Sequence, residues 1–337
     1  MRDTYTYLKF PWISKSTYKT FKACKFMFLW KVINGLVSGQ NRWMAQGSGL
    51  HLLFYKFFDV VDFDVLYKLD WSYNNGTKDS PVFRYFYACI LSIVKLRIED
   101  KHMKYNIVNF CLFEENHFVD LMTTYTTKRD IKRNFMPSLS ERECFMKHDG
   151  FKIFGTVDRI FVENGIKIIA DYKTGKVPKK LKEEIRSSIY TKVNLGHYTV
   201  EGNFYILLQS LIDGYIWEER PHKKTGKMQW IMTKDGKEVS VSKLYDYAFI
   251  FTSSKEFEYF VARKKASLAS IRAILKNLPI IRAWDDWYRQ PNIMRCKNCA
   301  IYQDKCRGKV PFEIYGNVFG SKDTPQKSIQ DVNWSSS

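Results

Sequence analysis

Two short stretches place acids and a lysine at spacings suited to metal-assisted hydrolysis: Gly155-Thr-Val-Asp158-Arg-Ile and Asp171-Tyr172-Lys173-Thr-Gly175-Lys. Side chains two apart on a strand share a face, so Asp171 and Lys173 point the same way. If a hairpin joins the stretches, Asp158 and Asp171 converge at one edge of a sheet. Carboxylate oxygens hold hard divalent cations such as Mg²⁺ or Mn²⁺. Such a cation offsets the charge of a scissile phosphate and acidifies a water. A lysine beside it orients that water and neutralises developing negative charge. Taken alone, Asp-x-Lys also fits an ordinary exposed ion pair of little energetic weight.

Other candidates lie on either side. His51, in Gly47-Ser-Gly-Leu-His51, offers an imidazole ahead of the acids, although beside Leu50, Leu52 and Leu53 it also fits a packed histidine. Glu201 and Tyr205 are four apart and share a helical face. Cys296-x-x-Cys299 and Cys306 cluster near the C-terminus, a pattern open to zinc, redox or iron–sulfur chemistry. A fourth ligand would come from Cys24, Cys89, Cys111 or Cys144; Cys89 and Cys111 sit in apolar helical patterns and Cys144 on a strand, which suits core roles. Lys176, Lys179, Lys180, Lys182 and Arg186 follow Lys173 closely and are candidates for contact with a phosphate backbone. Lys223, Lys224 and Lys227 with Trp230 form a second candidate, where phosphate contact and base stacking combine.

Gly-x-x-Asp-Arg-Ile followed by Asp-Tyr-Lys-Thr-Gly-Lys resembles the RecB-like branch of the PD-(D/E)XK nucleases. The resemblance implies that Asp158 and Asp171 are metal ligands, joined by the backbone carbonyl of Tyr172, and that Lys173 is the catalytic lysine. It implies His51 as a further ligand, from the family's Gly-x-x-x-His pattern. The family's Gln-x-x-x-Tyr motif is matched at Tyr205 but carries Glu201 in place of glutamine. A carboxylate cannot donate an amide hydrogen bond and repels phosphate, so contact there passes to neighbours such as His197 or Tyr198. The segment around Ser14 to Phe26 resembles the first helix of iron–sulfur members, the AddB nuclease domain and the CRISPR-adaptation exonucleases. That implies a 4Fe–4S cluster on Cys24, Cys296, Cys299 and Cys306, closing a loop of about 270 residues, and long closures restrict the unfolded chain most. Spacing alone leaves a four-cysteine zinc site open.

These residues need elements to position them. Ser14 and Ser16 open a helical run with Tyr18, Phe21, Cys24 and Phe28 at helical spacing, a second helix starts near Gly47, and further helical patterns cover 81–99 and 104–126. The period then changes: 141–148, 151–162 and 166–172 read as an antiparallel meander turning at Asp149-Gly150 and Asn164-Gly165. A basic linker spans 173–192 and a helix about 195–212. A hairpin over 228–252 turns at Asp235-Gly236, and a helix over about 255–277 stops before Pro279. The pattern is α/β, and the resemblance implies a PD-(D/E)XK restriction-endonuclease-like core with a small mixed sheet flanked by helices. Its expected parts are an N-terminal helical region (1–135), the core (136–278), a cysteine-rich iron–sulfur cap (279–318) and a disordered tail (319–337).

Composition bounds the partners. The chain has 337 residues, 45% of them hydrophobic, with 54 Lys and Arg against 35 Asp and Glu, a formal charge of +19. That excess excludes an ordinary neutral profile and points to a polyanion. No run of 18 apolar residues spans a membrane and no leader is read at the N-terminus. Seven cysteines, unevenly spread, suit a reducing cytoplasmic setting rather than a disulfide scaffold. By the family resemblance, the function expected is metal-dependent hydrolysis of DNA, as an exonuclease on single-stranded ends. No GxxxxGK[ST] motif is present, so unwinding would fall to a helicase or another recombination or CRISPR-adaptation partner. The alternative is an inactive DNA-binding or assembly protein with a nuclease fold, and a third reading is a zinc-stapled RNA-processing protein.

Overall fold

The computed structural model describes residues 12–24, 42–72, 78–94, 100–137, 142–148, 151–177, 179–187, 195–196 and 198–282. The chain divides into two compact units, one of 1–39, 149–152 and 276–337, the other of 40–148 and 153–275. The three C-terminal cysteines, His197 and the Asp149-Gly150 turn lie outside the described residues.

In the first unit, strand β1 (Trp12–Ser14) leads into helix α1 (Lys15–Ala23). Ser14 caps the helix by accepting from the Thr17 amide at 3.2 Å, while the Thr17 hydroxyl oxygen accepts from the Ser14 amide at 2.7 Å. Tyr18 and Phe21 form its buried face, and the Tyr18 hydroxyl accepts from Asn277 Nδ2 at 3.1 Å. Cys24 is half-buried and ends the helix rather than lying on its face.

The second unit begins with helix α2 (Arg42–Val60), which starts upstream of Gly47. A single turn α3 (Phe63–Leu66), α4 (Pro81–Ile93), α5 (Lys101–Thr124) and α6 (Lys128–Phe135) follow. Their starts are written in the sequence: Ser80 precedes Pro81, and Asp100 accepts from the Met103 amide at 2.9 Å. These helices pack through aromatic rings, with Phe54 stacked on Phe110 at 4.1 Å and Phe57 edge-on to Phe86 at 5.2 Å.

Strands β2 (Arg142–His148), β3 (Phe151–Val157), β4 (Arg159–Glu163) and β5 (Ile166–Lys173) come next. The single strand expected over 151–162 is broken by a bend at Asp158, and its halves join different sheets: β3 neighbours β2, whereas β4 pairs with β5. Asn164 and Gly165 take φ of 50° and 77°, the left-handed turn their types favour. The basic linker contains helix α7 (Lys179–Ser187), and α8 (Tyr198–Ile212) is buried on every face from Glu201 to Leu211. A meander of β6 (Ile216–Pro221), β7 (Met228–Lys234) and β8 (Lys237–Glu238) precedes β9 (Tyr245–Lys255).

The helix expected from residue 255 is overturned. Residues 258–265 form β10 (Glu258–Lys265), antiparallel to β9, because Phe260 and Ala262 alternate inward at the two-residue period of a strand. Helix α9 (Leu268–Arg282) begins only after it and runs through Pro279. Proline's fixed φ suits a helix, and in the last turn its missing N–H forfeits a single bond.

The central sheet has the order β10-β9-β5-β4. Its β5–β9 pair is parallel and the other two are antiparallel, so it is mixed as expected. Ile168, Ala170, Tyr172, Ala248 and Ile250 face the helical core of α2, α4 and α5. On the other face, Gly202 of α8 lies against Tyr247, whose ring atoms would stand 2.3–2.7 Å from an added Cβ. Among the described residues no helix is long and apolar enough to cross a membrane.

Candidate metal centre

The register of β4 and β5 pairs Arg159 with Ala170 and Ile160 with Ile169, so one further step sets Asp158 opposite Asp171. Asp158 stands at the bend where β3 turns into β4. Its Oδ2 accepts from the Tyr172 amide at 2.7 Å and lies 3.1 Å from His51 Nδ1. The site's small residues let these elements close on one another. A Cβ at Gly47 would meet Thr174 Oγ1 at 3.3 Å, so glycine one turn before His51 brings α2 onto the loop after Lys173. A Cβ at Gly155 would come within 2.9 Å of Leu208 and 3.2 Å of the Tyr205 ring. The glycine of Gly-x-x-Asp is therefore what admits Tyr205 beside the acids.

Lys173 is flanked by carboxylates. Its ammonium contacts Asp171 directly and reaches Glu201 Oε1 at 2.6 Å. The rings of Tyr198 and Phe249 lie 5.4 and 5.1 Å from it. Glu201 and Asp171 are almost wholly enclosed, at 2% and 6% side-chain exposure, while Lys173 keeps 19%. On sequence grounds Glu201 hinders phosphate; in the fold its charge is matched by Lys173.

Charge crowding marks the pocket. Burial, and then the neighbouring Asp171 charge, push the Asp158 acid up from its ordinary value, while His51 and the Tyr172 amide pull it down. Burial, and then the Asp171, Asp158 and Glu201 charges, hold the Tyr205 phenol well above its usual range, so it stays a proton donor. Among the described residues no three His, Cys, Asp or Glu side chains stand together as a ready metal cluster. The donor chemistry nevertheless fits a hard divalent cation: two enclosed carboxylates repel one another, and an imidazole touches one of them.

The described cysteines do not form such a site. Cys89 and Cys111 are buried, with their thiols pushed up by burial, in keeping with core roles. Of the basic residues, Lys176 and Lys179 are exposed. Lys182 is half-buried and engaged internally, its Nζ 3.0 Å from both Ser254 Oγ and Glu258 Oε2. Lys180 and Arg186 lie on α7, and their side chains are outside those described. Lys223, Lys224 and Lys227 are exposed on the turn between β6 and β7.

Sequence reasoning passes over Glu114 and Arg159. Arg159 is fully enclosed, and its guanidinium contacts the buried Glu114 carboxylate. Glu114-Glu115, directly after the run Phe110-Cys-Leu-Phe113, is a usable signal, since a buried acid needs a partner.

Comparison with known proteins adds three findings. The sequence model of the PD-(D/E)XK nuclease superfamily matches residues 13–307. No curated protein matches the chain. Among solved structures, the crystal structure of SSO0001 is similar at 15% identity, covering 79% of this chain and 99% of that one with a TM-score of 0.27.

Proposed function

Because this chain belongs to the PD-(D/E)XK nuclease superfamily, a group of metal-dependent nucleases, we propose that it is a RecB-like deoxyribonuclease that trims single-stranded DNA ends as an exonuclease. The observation that carries this reading is the meeting of Asp158, bound to the Tyr172 amide, with the neighbouring Asp171, against which the Lys173 ammonium lies. His51, Asp158, Asp171 and the Tyr172 carbonyl would hold Mg²⁺ or Mn²⁺, which supplies positive charge at the phosphate and acidifies a water. Lys173 orients that water toward phosphorus and neutralises charge as the phosphodiester bond breaks. The attacking water gives up its proton to solvent, and the leaving oxygen takes one from solvent, so the hydrolysis balances. Tyr205 keeps its proton among the carboxylates and is proposed as a proton-bearing group beside the phosphate. Lys176, Lys179, Lys180 and Arg186 are proposed to track the strand, with Lys176 and Lys179 the best placed by exposure, while Lys182, a candidate on sequence grounds, is left out because Ser254 and Glu258 hold it.

The cysteine assignment extends the proposal. Cys24 with Cys296, Cys299 and Cys306 would carry a 4Fe–4S cluster in a cap over 279–318, a staple rather than a participant in hydrolysis. Iron and acid-labile sulfide in anaerobically purified protein support it, and zinc in their place overturns it. A helicase or another recombination or CRISPR-adaptation protein is the partner proposed to supply single strands.

The test is cleavage of end-labelled linear single- and double-stranded DNA in Mn²⁺ and in Mg²⁺, with wild type beside Lys173→Ala. Cleavage that the variant loses places the chemistry at this site, and release of short labelled products identifies end-directed action. A second reading, an inactive DNA-binding or assembly protein, draws on the hold of Glu201 on Lys173. DNA binding without cleavage by either protein favours it.

A further inference from the structure

The proposed ligands occupy the front of β4 and β5. Behind them lies a buried polar network that the hydrolytic reading leaves unused. Arg159 follows Asp158, and Tyr172 sits between Asp171 and Lys173, so both turn to the opposite side from their acidic neighbours. Both end on one residue, Glu114 of α5. The Tyr172 hydroxyl donates to Glu114 Oε1 at 2.5 Å, and the Arg159 guanidinium contacts the same carboxylate. Arg159 also donates to the Phe135 carbonyl at 3.0 Å and lies over the Phe58 ring at 4.8 Å. Glu114 and Arg159 are 0% exposed and Tyr172 is 2% exposed. Enclosed charges of this kind move only together, since separating them leaves one uncompensated.

We propose that Glu114 is a positioning residue that ties β4 to β5 from behind and so sets the separation of Asp158 and Asp171 in front. The connection is continuous. Tyr172 holds Glu114 through its hydroxyl and Asp158 through its amide, which donates to Oδ2 at 2.7 Å. Arg159 holds the same carboxylate one residue from Asp158. A shift of α5 is therefore passed to both acids, and the distance between two carboxylates decides how tightly they share one cation. This inference rests on the reading of Asp158 and Asp171 as metal ligands.

The test uses the full chain and two variants. Tyr172→Phe removes one hydroxyl and keeps the ring packed on Phe54 and Phe110. Glu114→Gln keeps the shape and removes the charge. Mn²⁺ binding is titrated by the electron paramagnetic resonance of free Mn²⁺, well below each protein's unfolding midpoint. The Mn²⁺ Kd is expected to rise by about 10–100-fold in Glu114→Gln, the usual effect of a residue behind a ligand, and to rise in Tyr172→Phe as well. If Glu114→Gln does not fold, Tyr172→Phe decides. Wild-type Kd in the folded variants overturns the positioning role and leaves the metal site standing. Wild-type Mn²⁺ binding that survives Asp171→Asn overturns the metal site itself, and this inference with it.

Discussion

Lys173 meets two enclosed carboxylates at once, and the role proposed for it in hydrolysis rests on that placement. Lys173→Ala is expected to slow cleavage by about 10²–10³-fold, the usual loss when one charge-stabilising donor is removed, with DNA binding retained. Single-turnover rates beside binding isotherms check this. Asp158 carries a pH signature. Its acid is raised on folding, so the folded state holds that proton more tightly than the unfolded chain. Stability is then unaffected well below the ordinary value of 3.8 and falls as pH rises through the higher folded value. Asp158→Asn is expected to melt above wild type at neutral pH in EDTA, with the gap closing in acid. A variant that melts lower at neutral pH, across a thermal series, would refute this. The acids, the lysine, His51 and Tyr205 are legible because each sits in a short motif. Glu114 is not, because its partners Arg159 and Tyr172 lie 45 and 58 positions away and no local spacing links them.

At the level of elements, legibility follows local chemistry. The Ser14 cap, the Ser80-Pro81 start and the Asn164-Gly165 turn are visible because turn and cap residues act on their own neighbours. The break at Asp158 is not marked by any turn pair within 151–162, and it is the pairing of β3 and β4 with different sheets that reveals it. Strand β10 reads as helix because Glu258–Lys265 is rich in long side chains tolerated by helices; its partner β9 decides the matter. The α8–β9 contact offers a direct test. Gly202→Ala would push a methyl into the Tyr247 ring, where backbone or ring must move. Overpacking of this kind costs about 1–3 kcal/mol. A lower urea midpoint at unchanged slope is the expected result, and an unchanged midpoint would show that the ring swings aside freely.

The whole molecule carries +19 charges, and the structure sorts them. Lys176 and Lys179 are exposed, whereas Lys182 is committed to Glu258. Removing one phosphate-binding lysine is expected to reduce the slope of log affinity against log salt by about one for duplex and slightly less for single strands. Lys176→Ala and Lys179→Ala should therefore flatten the salt response, and Lys182→Ala should not; fluorescence anisotropy at several salt concentrations separates them. Cation binding should also register globally. Mn²⁺ at one hundred times its Kd stabilises a folded chain by about 2.7 kcal/mol, a rise of several degrees in Tm that Asp171→Asn should abolish. The parallel pairing of β5 with β9 has a consequence for the order of folding. Lys173 lies beside Phe251, seventy-eight positions later, with α7, α8 and the β6–β8 meander between them. A nascent chain that has emerged only through Lys173 already holds His51, Asp158 and Asp171, but β5 still lacks the neighbour on its second edge. Pairings so distant along the chain form late and slowly. The sheet edge beside the candidate centre is therefore completed only once Tyr245–Lys255 has been made and paired.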